Sequence, residues 1–312
     1  MPTCRQIDDI VKMKRNKMKK FVALFAVLFS VIAPVQSQAV EKQTIVIIDS
    51  AIDSSKFSNI VYEACFTIKT CPNGQTLSDA KGSYSFSEGK GSAAIQDFSI
   101  KGADHGFNMA KIATYVNPNI NIVFVRISDE KVYDTFSMIR NDGGSLARAL
   151  AWVSNNSSKF NIKAVSISQS RSNFTVGTCP SDALFESSVV ALKSKNIATF
   201  VATGNDGKKN QIGFPACVNG VYSVTGAIAN GTVVSTSNEN DKTVIVSRVC
   251  VDFIKTACVK IPNQNGVMVA MSGTSVATIV AATIAVGKNK DGNWDTFISS
   301  LPKVGKYSSL LS

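Results

Sequence analysis

Histidine is nearly missing from this chain: among 312 residues only His105 carries an imidazole. That scarcity excludes a metal centre built from several histidines. It also leaves a single side chain whose ordinary pKa lies near neutrality. The seven cysteines contain no Cys-x-x-Cys spacing, so a zinc reading of them has no support and no metal site is assigned. Internal repeats, low-complexity linkers and long charge blocks are absent too. About 270 residues beyond the N-terminal segment therefore suit one large domain.

Long apolar runs are also lacking. Phe21 to Val35 is shorter than the roughly 18–20 residues that span a bilayer. It follows Lys12, Lys14, Arg15, Lys17, Lys19 and Lys20, and precedes Ser37-Gln38-Ala39, with small residues at −3 and −1 of a cleavage point. Residues 1–39 thus read as a signal peptide and 40–312 as the mature domain, secreted or periplasmic, with no membrane association once the signal is removed. An uncleaved, tilted anchor is the other reading of this segment. Seven Lys or Arg and two Asp before residue 40 carry five of the eleven net positive charges, leaving about +6. That mild excess, without basic clusters or interleaved aromatics, does not support nucleic-acid binding.

Export agrees with the cysteines. Cys4 falls in the discarded segment, and Cys65, Cys71, Cys179, Cys217, Cys250 and Cys258 remain. Six cysteines in an oxidising compartment favour disulfides and allow fifteen pairings. The close pairs Cys65–Cys71 and Cys250–Cys258 read as local bridges, which leaves Cys179 with Cys217.

What the chain does have is a rhythm of β-branched runs and helix-like segments. Thr44–Asp49, Asn121–Ile127, Ile162–Ser168 and Ile197–Ala202 are apolar enough for strands buried on both faces. Leu146–Val153 has helical spacing, as does Asp182–Lys195 behind a Ser181 cap and Pro180. This alternation implies an α/β class, with a doubly wound, mainly parallel sheet and helices on both faces. Val221–Thr225 and Val244–Val249 read as further strands, and Ser275–Val286 as a helix apolar on all sides and hence buried. Gly82–Gly91 reads as a surface loop, and the residues after Gly287 as a polar tail with one amphipathic turn around Trp294 and Phe297.

Reactive groups in such sheets gather at the carboxyl ends of strands, and Asp49 ends the first one. His105 opens a helical pattern with Met109, Ile112, Ala113 and Val116 on one face. Ser275 stands at the start of the buried helix, where backbone N–H groups and the helix dipole favour a developing oxyanion. Val276-Ala277 follow it, so the Gly-x-Ser-x-Gly elbow is absent. An acid, an imidazole and a hydroxyl in this chain order form one of the known serine-protease triad arrangements.

The motifs around these residues resemble those of the subtilisin-like serine peptidases, from about residue 44 to about residue 287. Asp49-Ser50-Ala51-Ile52-Asp53 is similar to the family's Asp-Ser/Thr-Gly-Ile/Val-Asp, with alanine for glycine. His105-Gly106-Phe107-Asn108-Met109-Ala110-Lys111 keeps the histidine, glycine and alanine of His-Gly-Thr-His-Val-Ala-Gly, with Lys111 replacing the close-packing glycine. Gly273-Thr274-Ser275 matches Gly-Thr-Ser, Val276 standing for methionine and Ile279 for proline. Ala202-Thr203-Gly204-Asn205 resembles Ala-Ala-Gly-Asn. Ser166-Ile167-Ser168-Gln169-Ser170 sits where the family has Asn-Met-Ser-Leu-Gly, and Gly213-Phe214-Pro215-Ala216 resembles its Tyr-Pro-Ala segment.

The resemblance implies an Asp49-His105-Ser275 triad with Asn205 donating to the oxyanion. It implies substrate contacts at Ser168, Gln169, Ser170, Ala202, Thr203 and Gly204, with the cleft edge pairing to extended peptide. Substrates would be proteins or peptides. No cofactor is expected; calcium is possible by the resemblance, with no ligands assigned. Only Val40 to Thr44 separate the cleavage point from the first strand, so no prodomain is expected. A non-catalytic secreted binder of extended peptides is the alternative, and oligomeric state is left open.

Overall fold

The computed structural model describes residues 42–94, 103–128, 144–171, 179, 182–248, 260–262, 266–290 and 292–311. In chain order these form β1 (Thr44–Asp49), β2 (Ile60–Thr67), β3 (Gln75–Asp79), β4 (Gly82–Glu88), α1 (His105–Val116) and β5 (Asn121–Arg126). Then come α2 (Ser145–Asn156), β6 (Ile162–Ile167), α3 (Ala183–Ser194), β7 (Ala198–Ala202), β8 (Tyr222–Ala227) and β9 (Ile245–Arg248). The chain closes with β10 (Lys260–Pro262), β11 (Met268–Ala270), α4 (Thr274–Lys288), α5 (Trp294–Ser300), β12 (Lys303–Val304) and β13 (Tyr307–Leu310).

Eleven strands make one sheet in the order β12-β13-β9-β8-β7-β6-β1-β5-β2-β4-β3. From β13 to β2 every neighbouring pair is parallel, and antiparallel strands flank both edges. The strand-helix alternation therefore builds the expected doubly wound α/β fold. Alternation along β1 divides its side chains between two cores. Ile45 and Ile47 join the core under α1 and α4, and Val46 and Ile48 join the one under α2 and α3. Each such side chain contributes about 1.5–3 kcal/mol when fully buried.

Helix α4 is enclosed nearly all round, from Thr274 to Val286. Two of its hydroxyls are satisfied within the helix: Thr278 donates to the Thr274 carbonyl and Thr283 to that of Ile279, both at 2.7 Å. Helix α1 packs against it through Met109, Ile112 and Ala113, all buried. Lys111 lies on the other side, its Nζ 5.2 Å from the Phe57 ring and 5.6 Å from that of Phe107. The lysine in place of a close-packing glycine therefore does not separate the two helices.

Several expectations need correction. Gly82–Gly91 is not simply a loop: β4 occupies its first seven residues, paired with β2 and β3. Serine and glycine disguise a strand whose Phe86 packs on Phe66, ring centroids 4.9 Å apart. The stretch after Gly287 is no polar tail, because β13 joins the sheet parallel to β9 and buries Tyr307 and Leu310. The cap of α3 is Asp182, which accepts from the N–H groups of Leu184 and Phe185; Ser181 lies outside the described residues.

Disulfides join Cys65 to Cys71 and Cys179 to Cys217. The Cys250–Cys258 pair and the N-terminal segment 1–41 lie outside the described residues. Residues 42–312 cluster as one compact unit. Among the described residues no helix is long and apolar enough to cross a membrane.

Candidate active site

The fold reverses its winding at β1, which lies between β5 and β6. Such a switch point leaves a crevice outside the carboxyl ends of the strands. Asp49 ends β1 there, and Ser168, Gln169 and Ser170 leave β6 beside it. Asp49 is buried, and its Oδ1 accepts from the His105 Nδ1 at 2.7 Å and from the Ser50 backbone N–H at 2.7 Å.

His105 is held by its neighbours. Ser50 Oγ accepts from the Gly106 N–H at 2.9 Å and donates to the Ala103 carbonyl at 3.0 Å, tying the start of α1 to the end of β1. Only glycine fits at 106, because a Cβ would stand 2.5 Å from the Phe124 ring and 2.8 Å from the Ala51 carbonyl oxygen. Burial disfavours the imidazolium. The Asp49 charge and hydrogen bond, helped by Asp104, outweigh that and hold His105 above its ordinary value of 6.5.

Ser275 is the second residue of α4. Its hydroxyl donates to the Ser168 carbonyl at 2.9 Å, while the Ser168 hydroxyl donates to the Ser275 carbonyl at 3.1 Å. This reciprocal pair fastens the end of β6 to the first turn of α4. Gly273 caps that turn at φ 108°, a conformation L side chains rarely adopt.

Asn205 follows β7. Its Oδ1 accepts from the Thr274 backbone N–H at 2.9 Å and the Thr274 hydroxyl at 3.1 Å. With its oxygen so engaged, the Asn205 side chain lines a cleft of about 340 Å³. His105, Ser168, Gln169, Ser170, Ala202, Gly204, Asn205 and Ser275 all line that cleft, so residues spread over 170 positions meet in one place. Thr203 does not line it. It is fully buried, with its N–H on the Val224 carbonyl and its own carbonyl accepting from Gly213 N–H and Asn238 Nδ2.

Three contributors escape a reading of the sequence. Thr274 orients Asn205, and Asp206 shares the cleft wall. Asn238, fully buried, clamps the loop that carries Asn205. Its Oδ1 accepts from Asp206 N–H at 3.0 Å and Lys208 N–H at 2.9 Å, and its backbone N–H donates to Gly204. Asn238 lies in a run of serine, threonine and asparagine, where nothing local separates it from its neighbours. Ser170 also behaves unexpectedly. A Cβ on Gly213 would come within 1.9 Å of its hydroxyl and one on Gly204 within 3.1 Å, so the serine fills space that two glycines leave.

Among the described residues no group of three or more Asp, Glu, His or Cys converges as a metal site would require. The calcium that the resemblance leaves possible finds no acidic donor set among the described residues.

The family model described as the subtilase family matches residues 40–297. No curated protein matches the chain in sequence. Among solved structures, the chain is similar to a cold-adapted subtilisin-like serine proteinase, at 17% identity and TM-score 0.56, covering 86% of this chain and 89% of that one. It is also similar to the prenylagaramide maturation protease PagA, at 18% identity and TM-score 0.53 over 85% and 86% of the two chains. A lanthipeptide protease aligns at 14% identity and TM-score 0.55, over 84% and 81%. At these identities the likeness is one of fold.

Proposed function

Because the chain belongs to the subtilase family, we propose that it is a secreted serine endopeptidase working through an acyl-enzyme on Ser275. Membership makes it a serine-type peptidase with peptide or protein substrates. The observation that carries the proposal is the Asp49–His105 hydrogen bond at the rim of the cleft that also holds Ser275 and Asn205.

At rest the Ser275 proton points at the Ser168 carbonyl. For attack it turns to Nε2 of a neutral His105, which takes it as Oγ bonds to the substrate carbonyl carbon. Asp49 keeps the imidazole in the right tautomer and stabilises the imidazolium. The carbonyl oxygen becomes an oxyanion, met by the Asn205 Nδ2 and the Ser275 backbone N–H at the positive end of α4. As the tetrahedral adduct collapses, His105 gives its proton to the departing amine. Water then enters, loses a proton to His105 and releases the acid, restoring the Ser275 hydroxyl.

The Ser168-Gln169-Ser170 segment supports the placement of an extended peptide along the cleft edge. The lining side chains Ser168, Ser170, Asn205 and Asp206 are polar, so apolar matching contributes little to side-chain preference in this cleft. A quenched peptide library incubated with the purified protein tests the reading. Internal cleavage that disappears in Ser275→Ala supports it. Tight binding without cleavage by the folded wild type favours a peptide-binding protein instead.

A further inference from the structure

Gln169 stands where the resembling segment carries leucine, yet its amide is turned inward. It is buried, and its Nε2 lies 3.2 Å from Asp49 Oδ1. The donor assignment follows from charge, since the opposite flip would press an amide oxygen against a carboxylate. A buried amide needs hydrogen-bond partners, and an apolar side chain would fill the same space without that need. The amide therefore has a purpose other than packing.

The carboxylate it meets is lopsided. Oδ1 takes the Ser50 N–H, the His105 ring N–H and the Gln169 amide, whereas Oδ2 is buried with no partner among the described residues. We propose that Gln169 is a positioning residue for the Asp49–His105 pair: its amide fixes the rotation of the carboxylate and draws part of the Oδ1 charge away from the imidazole. The inference rests on the triad reading above for its catalytic meaning, but the effect on the pair exists whether or not turnover occurs.

Other charges around the pair are few among the described residues. Asp104 precedes α1 and raises the tendency of His105 to protonate. Asp206 lines the same cleft as His105. Arg126, the register partner of Asp49 on β5, donates its Nε to the Ser128 carbonyl. Arg171 follows the Ser168–Ser170 segment, its backbone paired with Phe214. The first turn of α4 and the end of β6 bring no charge. Gln169 is thus the group through which the environment of Asp49 can be altered without changing net charge.

The single histidine makes the test direct, because a chain without a histidine tag shows one imidazole in its NMR spectrum. The His105 titration is followed in Ser275→Ala, and again with Gln169→Met or Gln169→Glu added. Methionine keeps length and removes the amide; glutamate keeps length and adds a charge. The expected result is a midpoint raised by about half a pH unit or more with methionine, and further with glutamate. In the Ser275→Ala protein itself, the Gln169 side-chain amide protons should move with the His105 midpoint, a readout needing no change at 169. A midpoint that is unchanged or falls, or an amide that ignores the titration, overturns the proposal. Failure of the triad reading is separate: the wild type would then lack hydrolysis while the titrations still respond to residue 169.

Discussion

At the scale of single residues the proposed site is built on two short arrangements, Asp49 with His105 and Asn205 with Thr274. Because His105 is held above 6.5, kcat/KM should fall on the acid side with a midpoint above histidine's ordinary value. Asp49→Asn removes the charge and leaves burial in control, so that midpoint should drop, and turnover should fall by about 10⁴-fold. The same interaction bears on stability. A raised pKa in the folded chain stabilises it fully below 6.5, and that part is lost as pH rises through the folded value. For Asn205→Ala, turnover should fall about 10²–10³-fold with KM nearly unchanged, as befits a donor used in the transition state. Steady-state kinetics against pH check both. An altered KM with intact kcat would move Asn205 from oxyanion stabilisation to substrate binding. Asn238→Ala leaves the Asp206 and Lys208 N–H groups without their acceptor, and should cost about 1–3 kcal/mol in urea unfolding.

Among the elements, the β3–β4 hairpin is the part least expected from sequence, and it is held by a charged clamp. Arg148 of α2, itself buried, donates Nε to Asp79 Oδ2 at 2.7 Å and an Nη to Oδ1 at 2.8 Å, with its guanidinium 4.3 Å from the Tyr84 ring centroid. The Arg148 hydrogen bond lowers the Asp79 carboxyl to about 2. Stability from this pair is therefore present above the ordinary carboxylate value of 3.8 and is lost as pH falls towards 2. Solvent screens the partly exposed Asp79, so Arg148→Lys, which cannot keep the fork, should cost on the order of 1 kcal/mol. The difference in urea midpoint between wild type and variant should shrink over that acid range; a constant difference would assign the loss to packing on Tyr84. Helix α4 responds differently. Ile279 is buried against α1 and the sheet, and Ile279→Ala should cost about 2–5 kcal/mol at any pH.

For the molecule as a whole, the central strands and α4 were legible because burial on both faces leaves continuous apolar runs. Thr44–Asp49 and Ile162–Ile167 could be little else. The edges were not legible. β4 reads Gly-Ser-Tyr-Ser-Phe-Ser-Glu and β3 is largely exposed, so partners across the sheet, not local pattern, make them strands. The candidate site was legible as residue types in order, yet Gln169 and Asn238 make contacts spanning 120 and 35 positions respectively, which no window along the chain reveals. Cys179–Cys217 closes a separation of 38 residues between the approach to α3 and the segment before β8. Its reduction should remove about 2–4 kcal/mol and lower Tm. The central claim, that three distant side chains form one working nucleophile, is met most directly by mass spectrometry of the fluorophosphonate-treated protein. The account predicts one adduct, on the peptide containing Ser275, forming faster as His105 loses its proton and absent from Ser275→Ala and His105→Ala. A folded wild-type chain that takes up no label, or takes it up equally in those variants, would contradict it.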